Sequence, residues 1–234
     1  MEVAELAVEM AGHARYGGLV VGVDFSGNPT RNSFAAFRPA LERARAGGLR
    51  VTCHCGEVSN EEEVAAMVQG FRPDRLGHAL LLGEDTAAAL LLDPIPIEVC
   101  PTSNLLTLGL SSHAHHPTAA RWLDHGYPIS VNTDDAGVFA TDLSREYAHL
   151  ATAHSLGPEA LAALAHGAAA HAFDEQIRPA LSRALKRECD RLLLRAGGGG
   201  PLQLPTKEFG DQLSLKKHIK YTSTHSGSCS TGRR

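Results

Sequence analysis

The length, composition and charge of the chain limit the classes of protein to which it can belong. Its 234 residues are 43% hydrophobic and 21% charged, which suits one globular domain with a single core rather than two domains. The formal net charge of −4 at pH 7 provides no positive field that would hold a polyanion, and this disfavours nucleic-acid binding. We therefore expect a small ligand and no nucleic acid.

The cysteines and the apolar runs indicate the cellular compartment in which the protein is expected. The five cysteines have neither paired Cys-x-x-Cys spacing nor a secretory context, so we interpret them as reduced thiols rather than a disulfide framework. The first residues, MEVAELAVEMAGHARYGG, are acidic where a signal peptide needs basic residues. No later run approaches the roughly 18 unbroken apolar residues of a membrane span. We expect a cytosolic protein that does not contact membranes.

Five short apolar runs, each ending in polar residues or glycine, predict buried strands. In chain order they are LVVGVDFSG, LRVTCHCGE, RLGHALL, PIEVC and PISVNTDD. The stretches SFAAFRPALERARAGG, NEEEVAAMVQGF and HPTAARWLDHG have apolar residues at helical spacing and terminal glycines, and they predict helices. This β/α alternation predicts parallel strands. The reactive residues at the strand ends favour a (β/α) barrel over a doubly wound sheet.

The C-terminal part of the chain divides into a helical region and a polar tail. From Asp142 to about Leu194 the sequence is alanine-rich with helical periodicity, and we expect these helices to cover the barrel. After Arg195 the run AGGGGP breaks the pattern, and the residues beyond it are polar and without periodicity. We predict one domain over residues 1–195 and a disordered tail over residues 196–234.

The strand in VTCHCGEV ends in an imidazole and a carboxylate. His54 lies on the strand and Glu57 follows three residues later, so both side chains can enter one pocket. A metal ligand beside a general acid would suit a hydrolase, because zinc lowers the pKa of its bound water to about 7 and the acid can shuttle protons. A histidine packed at a strand end, next to a solvated glutamate, explains the pattern equally well.

Two adjacent carboxylates, Asp134 and Asp135, follow the apolar strand in ISVNTDDAG. Because like charges so close together repel, a buried pair needs a cation or a proton. A divalent metal ion on one carboxylate and a base role for the other would satisfy this need. The alternative is that the pair caps the start of a helix.

Two further strands end in candidate residues. His78, after the glycine in DRLGHALL, could orient or deprotonate a metal-bound water, or could be structural. In VGVDFSGNP the candidates are Asp24, Gly27 and Asn28. The missing side chain of Gly27 would let a flat ring approach the backbone, and Asn28 could then bond the edge of that ring.

The strand in PIEVCPTSN is followed by polar groups that could fix a sugar or a phosphate by hydrogen bonds. They are Glu98, Thr102, Ser103 and Asn104. A turn stabilised by the same side chains explains them equally well. Each of these motifs is ambiguous alone, but their order on successive strands indicates a single functional site.

In this order the motifs DFSG, HCGE, RLGH, CPTSN and TDD resemble those of the adenosine and AMP deaminase family, over about Val20 to Leu185. The strings SGNP and TDDAGVFATDLSREY are similar to those of its N6-methyl-AMP deaminase branch. The resemblance implies a metal-dependent (β/α)8 TIM barrel with one zinc ion per site. It also implies that the chain binds a purine nucleoside or nucleoside monophosphate and replaces the 6-amino group by oxygen, converting N6-methyl-AMP to IMP. We expect the chain to be a monomer.

The resemblance also implies a role for each matched residue. His54 and Asp134 would be zinc ligands, and Glu57 would carry a proton to purine N1. His78 would orient the attacking hydroxide, with Asp135 as its partner. These assignments join the three strand ends into one deaminase site.

Two positions bear on the substrate. Gly27 would meet the purine ring. Asn28 stands where the adenosine branch usually has an acidic residue that contacts N7, and this departure favours the N6-substituted nucleotide branch.

A second departure concerns the metal motif HxH, which these enzymes carry at the end of strand one. No such motif precedes Val20, and His113 and His115 in SSHAHHP lie between later strands, so we interpret them as loop residues. We therefore expect only strands four to eight of the barrel and half of the metal ligands. The alternative function is a catalytically inactive fragment that binds a nucleotide or a protein partner.

Overall fold

A computed structural model of the chain describes residues 1–195 and residue 197. Its centre is a five-stranded parallel sheet in which the strands are adjacent in chain order. The strands are β1 (Gly22–Phe25), β2 (Arg50–Cys55), β3 (Arg75–His78), β4 (Ile97–Val99) and β5 (Ile129–Val131). This confirms the five predicted strands and their parallel arrangement, which is that of consecutive units of a (β/α) barrel.

Helices precede the sheet, join its strands and follow it. Before β4 they are α1 (Glu2–Gly12), α2 (Phe34–Ala46), α3 (Glu61–Ala65), which continues as a π-helix (Ala66–Phe71), and α4 (Glu84–Leu92). Between β4 and β5 they are α5 (Pro101–Thr107), a 3₁₀ turn (His113–His115) and α6 (Ala119–Asp124). After β5 they are α7 (Ala136–Phe139), α8 (Leu143–His154), α9 (Pro158–Gly167), a 3₁₀ turn (Ala168–His171) and α10 (Arg178–Arg195). Every helix predicted from the sequence is present.

The two faces of the sheet differ in polarity. Side chains alternate along a strand, so Val51 and Cys53 of β2 point into the apolar core, where both are fully buried. The core continues through Leu76 of β3 to Trp122 of α6. On the opposite face Thr52 lies within 3.5 Å of Glu98. The helices therefore cover the apolar face, and the polar face leads towards the candidate site.

The segment after α9 covers the N-terminal edge of the sheet. The guanidinium of Arg75 lies 3.6 Å from the centre of the Phe173 ring and donates a hydrogen bond of 2.8 Å to the carbonyl of His171. Phe173 also packs against Gly22, where a Cβ atom would lie only 2.5 Å from the ring. These contacts fix the last helices beneath the sheet and leave its C-terminal edge for the site.

Two findings concern the sequence-based expectations on membranes and on the tail. Among residues 1–195, no helix has both the length and the apolar character that crossing a membrane would need. The tail predicted from residue 196 onward lies outside the described residues, apart from Gly197.

Candidate active site

The C-terminal ends of β2, β3 and β5 bring the predicted chemical groups together. The Nε2 atom of His78 lies 3.1 Å from Nδ1 of His54. It also lies 3.8 Å from a carboxylate oxygen of Glu57 and 3.8 Å from one of Asp134. Strand register brings about the first contact, because His54 pairs with Gly77 on β3, directly before His78. Four residues from three separate motifs thus share one centre.

The packing around Gly77 explains why the RLGH motif has a glycine at this position. A Cβ atom at this position would lie 2.4 Å from Cδ2 of the His54 ring, well inside van der Waals contact. The absent side chain therefore lets the His54 ring lie against β3. There it meets the His78 ring edge to face, with ring centres 4.6 Å apart.

The backbone around the site adopts conformations that side chains rarely favour. The φ angles are +61° at His78, +49° at Ala79 and +55° at Asp134. Each such residue costs on the order of 1 kcal/mol, and such residues concentrate at functional sites. Gly56 of HCGE also has positive φ, and its carbonyl accepts a 2.9 Å bond from the amide of Leu81. The turns after β2 and β3 are therefore joined by a backbone hydrogen bond.

The polar residues of α5 form hydrogen bonds with residues of the site. The hydroxyl of Ser103 donates a 2.6 Å bond to Asp134, and the side-chain amide of Asn104 lies 2.9 Å from Nδ1 of His78. Thr102 bonds through its amide and its hydroxyl to Glu146. The sequence pattern predicts that these residues bind a sugar or a phosphate, or that they stabilise a turn. Their hydrogen bonds and their place in a helix favour a positioning role.

Glu146 is a site residue that the sequence reasoning missed. Its carboxylate is fully buried and accepts hydrogen bonds from the Thr102 amide and from the hydroxyls of Thr102 and Thr141. These bonds join α5 to the segment between β5 and α8. The only signal in the sequence is the string TDDAGVFATDLSREY, which holds both Thr141 and Glu146.

Burial and neighbouring charges shift the pKa values of the clustered groups. Burial raises the pKa of Glu57, and the nearby Asp134 raises it further against the effect of His54. Burial lowers the pKa of His54, but the hydrogen bond and charge of Asp24 outweigh this and leave that pKa raised. A carboxyl group with a raised pKa is suited to donate a proton near neutral pH.

Asp24, Gly27 and Asn28 line a cavity of about 350 Å³ together with His54 and Glu57. Asp24 lies 3.4 Å from Nε2 of His54. Gly27 has a φ of +129°, and its missing side chain faces open space. The cavity also has an apolar wall, formed by Phe25, Phe34, Phe37, Val64 and Met67.

Asp135 stands apart from the cluster. It occupies the N-cap position of α7, but its side chain makes no capping hydrogen bond. Its backbone carbonyl accepts 2.9 Å bonds from the amides of Val138 and Phe139. Asp135 is therefore at the start of a helix, as the capping alternative requires, but its side chain does not form the cap. Its exposed carboxylate can face solvent or a ligand.

Two groups of side chains within the described residues could hold a metal ion, and both contain His78. They are His54, Glu57 and His78, and His78, Cys100 and Asp134, with ligand atoms within 4.8 Å of one another in each group. Imidazole nitrogens and carboxylate oxygens are ligands that zinc accepts, so the donor set fits such an ion. Cys100 had not been predicted. His113 and His115 belong to neither group and lie in the 3₁₀ turn after α5.

A parallel β/α sheet with imidazoles and carboxylates at its C-terminal strand ends is the arrangement of a TIM-barrel hydrolase. The family model described as adenosine deaminase matches residues 1–186. The chain therefore belongs to the adenosine deaminase family, as its motifs predicted.

Individual proteins agree with this assignment. An N6-mAMP deaminase of Arabidopsis thaliana is 39% identical over 175 residues, which are 75% of this chain and 47% of that protein. An N6-methyl-AMP deaminase of Danio rerio is 36% identical over 162 residues, 67% of this chain and 46% of that protein. The crystal structure of Arabidopsis ADAL complexed with IMP has a TM-score of 0.75 at 36% identity, covering 81% of this chain and 54% of that one. The chain thus spans about half the length of the relatives it matches.

Proposed function

We propose that this chain carries the active-site residues of a zinc-dependent hydrolytic deaminase acting on a 6-aminopurine nucleoside or nucleotide, and that it converts N6-methyl-AMP and water to IMP and methylamine. The observation that carries the proposal is the position of His78 Nε2 between His54, Glu57 and Asp134. The similarity to N6-methyl-AMP deaminases and to a protein crystallised with IMP supports the substrate class.

His54 and Asp134 are the residues that would hold the zinc ion. When bound, zinc polarises the attacking water and lowers its pKa. Ser103 contributes by donating its hydroxyl hydrogen to Asp134. This bond fixes the carboxylate, as expected for a ligand held by a second residue.

Glu57 transfers the protons of the reaction. Its raised pKa suits it to donate a proton to purine N1, which makes C6 a better electrophile. His78 orients the attacking water through Nε2, with Asp135 as its partner. The two protons of the water that adds to C6 then pass to Glu57: one goes on to the exocyclic nitrogen, so that methylamine leaves, and the other restores protonated Glu57.

Asn28 and Gly27 bind the purine ring. The side-chain oxygen of Asn28 accepts bonds from the amide and the hydroxyl of Thr30, at 2.9 and 2.7 Å. Its NH2 group is therefore the end directed to a ligand, and a donor is what the acceptor atom N7 of a purine requires. The open space at Gly27 accommodates the flat ring, and the aromatic wall of the cavity covers its face.

A second candidate function is binding of a purine nucleotide or a partner without turnover. It is favoured by the small number of zinc ligands. Within the described residues the matched motifs supply two, His54 and Asp134, and these belong to different candidate metal groups. A catalytic zinc site usually has three protein ligands.

Incubation of the purified full chain with zinc and N6-methyl-AMP, AMP or adenosine separates the two functions. Mass-resolved chromatography then follows IMP or inosine. We expect IMP from N6-methyl-AMP, abolished by a chelator and restored by zinc. Nucleotide binding without product from any substrate would contradict the deaminase proposal and favour the second function.

A further inference from the structure

The hydrogen bonds behind His78 determine which of its ring nitrogens carries the hydrogen. The chain of contacts begins at His116, a buried residue between the 3₁₀ turn and α6. Its Nδ1 atom lies 3.3 Å from the amide of Thr118 and 3.0 Å from the amide of Ala119. A backbone amide can only donate, so Nδ1 of His116 must accept. The ring hydrogen of neutral His116 is therefore on Nε2.

Asn104 receives that hydrogen. Nε2 of His116 lies 3.0 Å from Oδ1 of Asn104, and the backbone amide of Cys100 lies 3.2 Å from the same atom. Two donors converge on this end of the side chain, so it is the oxygen. A flipped amide would place its NH2 group against both donors inside the core, where Asn104 is only 1% exposed.

The orientation of Asn104 then determines the state of His78. The NH2 group of Asn104 lies 2.9 Å from Nδ1 of His78, and an amide nitrogen can only donate. Nδ1 of His78 is therefore an acceptor without hydrogen. In the neutral ring the hydrogen is on Nε2, which donates to Nδ1 of His54 at 3.1 Å and lies 3.8 Å from carboxylate oxygens of Glu57 and Asp134.

The same segment also holds the backbone next to His78. The hydroxyl of Thr118 donates a 3.2 Å bond to the carbonyl of Ala79, which has a positive φ. One short stretch of chain thus fixes both the strained turn after His78 and, through Asn104, the hydrogen of its ring.

We propose that His116 and Asn104 are positioning residues that hold His78 in its Nε2–H form, so that His78 donates a hydrogen bond to the attacking water and does not remove a proton from it. This rests on the proposed function only for the identity of the water. The tautomer itself follows from contacts within the chain. It agrees with the orienting role that the resemblance implies for this histidine.

The tautomer can be measured directly by NMR. The full chain is labelled with ¹⁵N-histidine and studied without metal or substrate, with the His78 signals assigned by their loss in His78→Gln. Long-range ¹H–¹⁵N correlations distinguish a protonated ring nitrogen from an unprotonated one. We expect Nε2 of both His78 and His116 to be protonated and Nδ1 of both rings to be unprotonated. A His78 ring with its hydrogen on Nδ1 overturns the proposal, whether or not any variant folds.

An isosteric variant tests the cause. Asn104→Asp keeps an oxygen for His116 and Cys100 but replaces the donor that faces His78 by an acceptor, so the His78 hydrogen should move to Nδ1. His115→Gln, at an exposed residue bonded to Ser111, is the matched control and should leave the His78 signals unchanged. Unaltered His78 signals in a folded Asn104→Asp protein would show that Asn104 does not set the tautomer.

Turnover separates this inference from the proposed function. If N6-methyl-AMP is converted, Asn104→Asp should lower kcat by at least about 100-fold with little change in KM, since a wrong tautomer disables a correctly placed imidazole. Equal loss in kcat and affinity would instead indicate a purely structural role. If the parent chain has the Nε2–H form but no activity, the tautomer assignment holds and the deaminase proposal fails.

Discussion

Replacement of Gly77 by alanine tests whether the contact between β2 and β3 creates the metal site. The added Cβ atom would lie 2.4, 2.8 and 3.0 Å from Cδ2, Cγ and Nε2 of His54. Carbon atoms in contact are normally about 3.5 to 4.0 Å apart, so the ring must move by about 1 Å. Metal–ligand distances tolerate only about 0.2 Å, so His54 would leave its ligating position. We expect zinc affinity to fall by more than about 100-fold.

The assay for Gly77→Ala is zinc affinity by competition with a chromophoric chelator, with urea unfolding to confirm the fold. Overpacking of this kind costs about 1–3 kcal/mol of stability. The matched control is Gly167→Ala, where no atom lies within 4 Å of the new Cβ, and its zinc affinity should equal that of the parent chain. Parent-like zinc affinity in Gly77→Ala would refute the claim that the His54 ring, held against Gly77, is a ligand.

Three further predictions concern single residues. Glu57→Gln should lower turnover by about 10²- to 10⁴-fold while zinc content stays unchanged, because it removes proton transfer and no ligand; unchanged turnover would exclude Glu57 as the proton carrier. Asp134→Ala should lower zinc occupancy by elemental analysis, and full occupancy would exclude it as a ligand. Burial lowers the pKa of His116 to about 4, so the unfolded chain binds the proton first and stability falls as the pH decreases. Between pH 7 and 5 this group contributes a loss of about 2 kcal/mol, which His116→Gln should remove from urea-unfolding curves; equal pH dependence in parent and variant would contradict it.

The sheet could be predicted because its strands are short apolar runs with well-marked ends. The residues at those ends could also be predicted to meet, since parallel strands place their C-terminal ends at one edge. His54, Glu57, His78 and Asp134 followed from this rule and from the order of the motifs.

Contacts between distant segments could not be predicted. Glu146 and Thr102 are 44 positions apart, and nothing in a helical stretch marks one glutamate as buried against another helix. His116 was passed over for a similar reason, because its role depends on Asn104. The geometry at Gly77 needed the register of β2 and β3, since the glycine is required by His54 on the neighbouring strand and not by its own turn.

Some helices were missed although the sequence contained signals for them. Pro101 occupies the first turn of α5, a position that favours helix initiation, but the following Thr, Ser and Asn suggested a turn or a ligand site. In α4 the acidic residues Glu84 and Asp85 precede an alanine- and leucine-rich run, which is typical of a helix start.

Incorporation of water oxygen into the product tests the central claim most directly. The full chain is incubated with zinc and N6-methyl-AMP in H₂¹⁸O, and the mass of the IMP formed is measured by mass spectrometry. We expect the IMP to carry one ¹⁸O at C6 and methylamine to appear in equal amount. Absence of IMP, or IMP without the label, would contradict a hydrolytic deaminase built on His54, Glu57, His78 and Asp134.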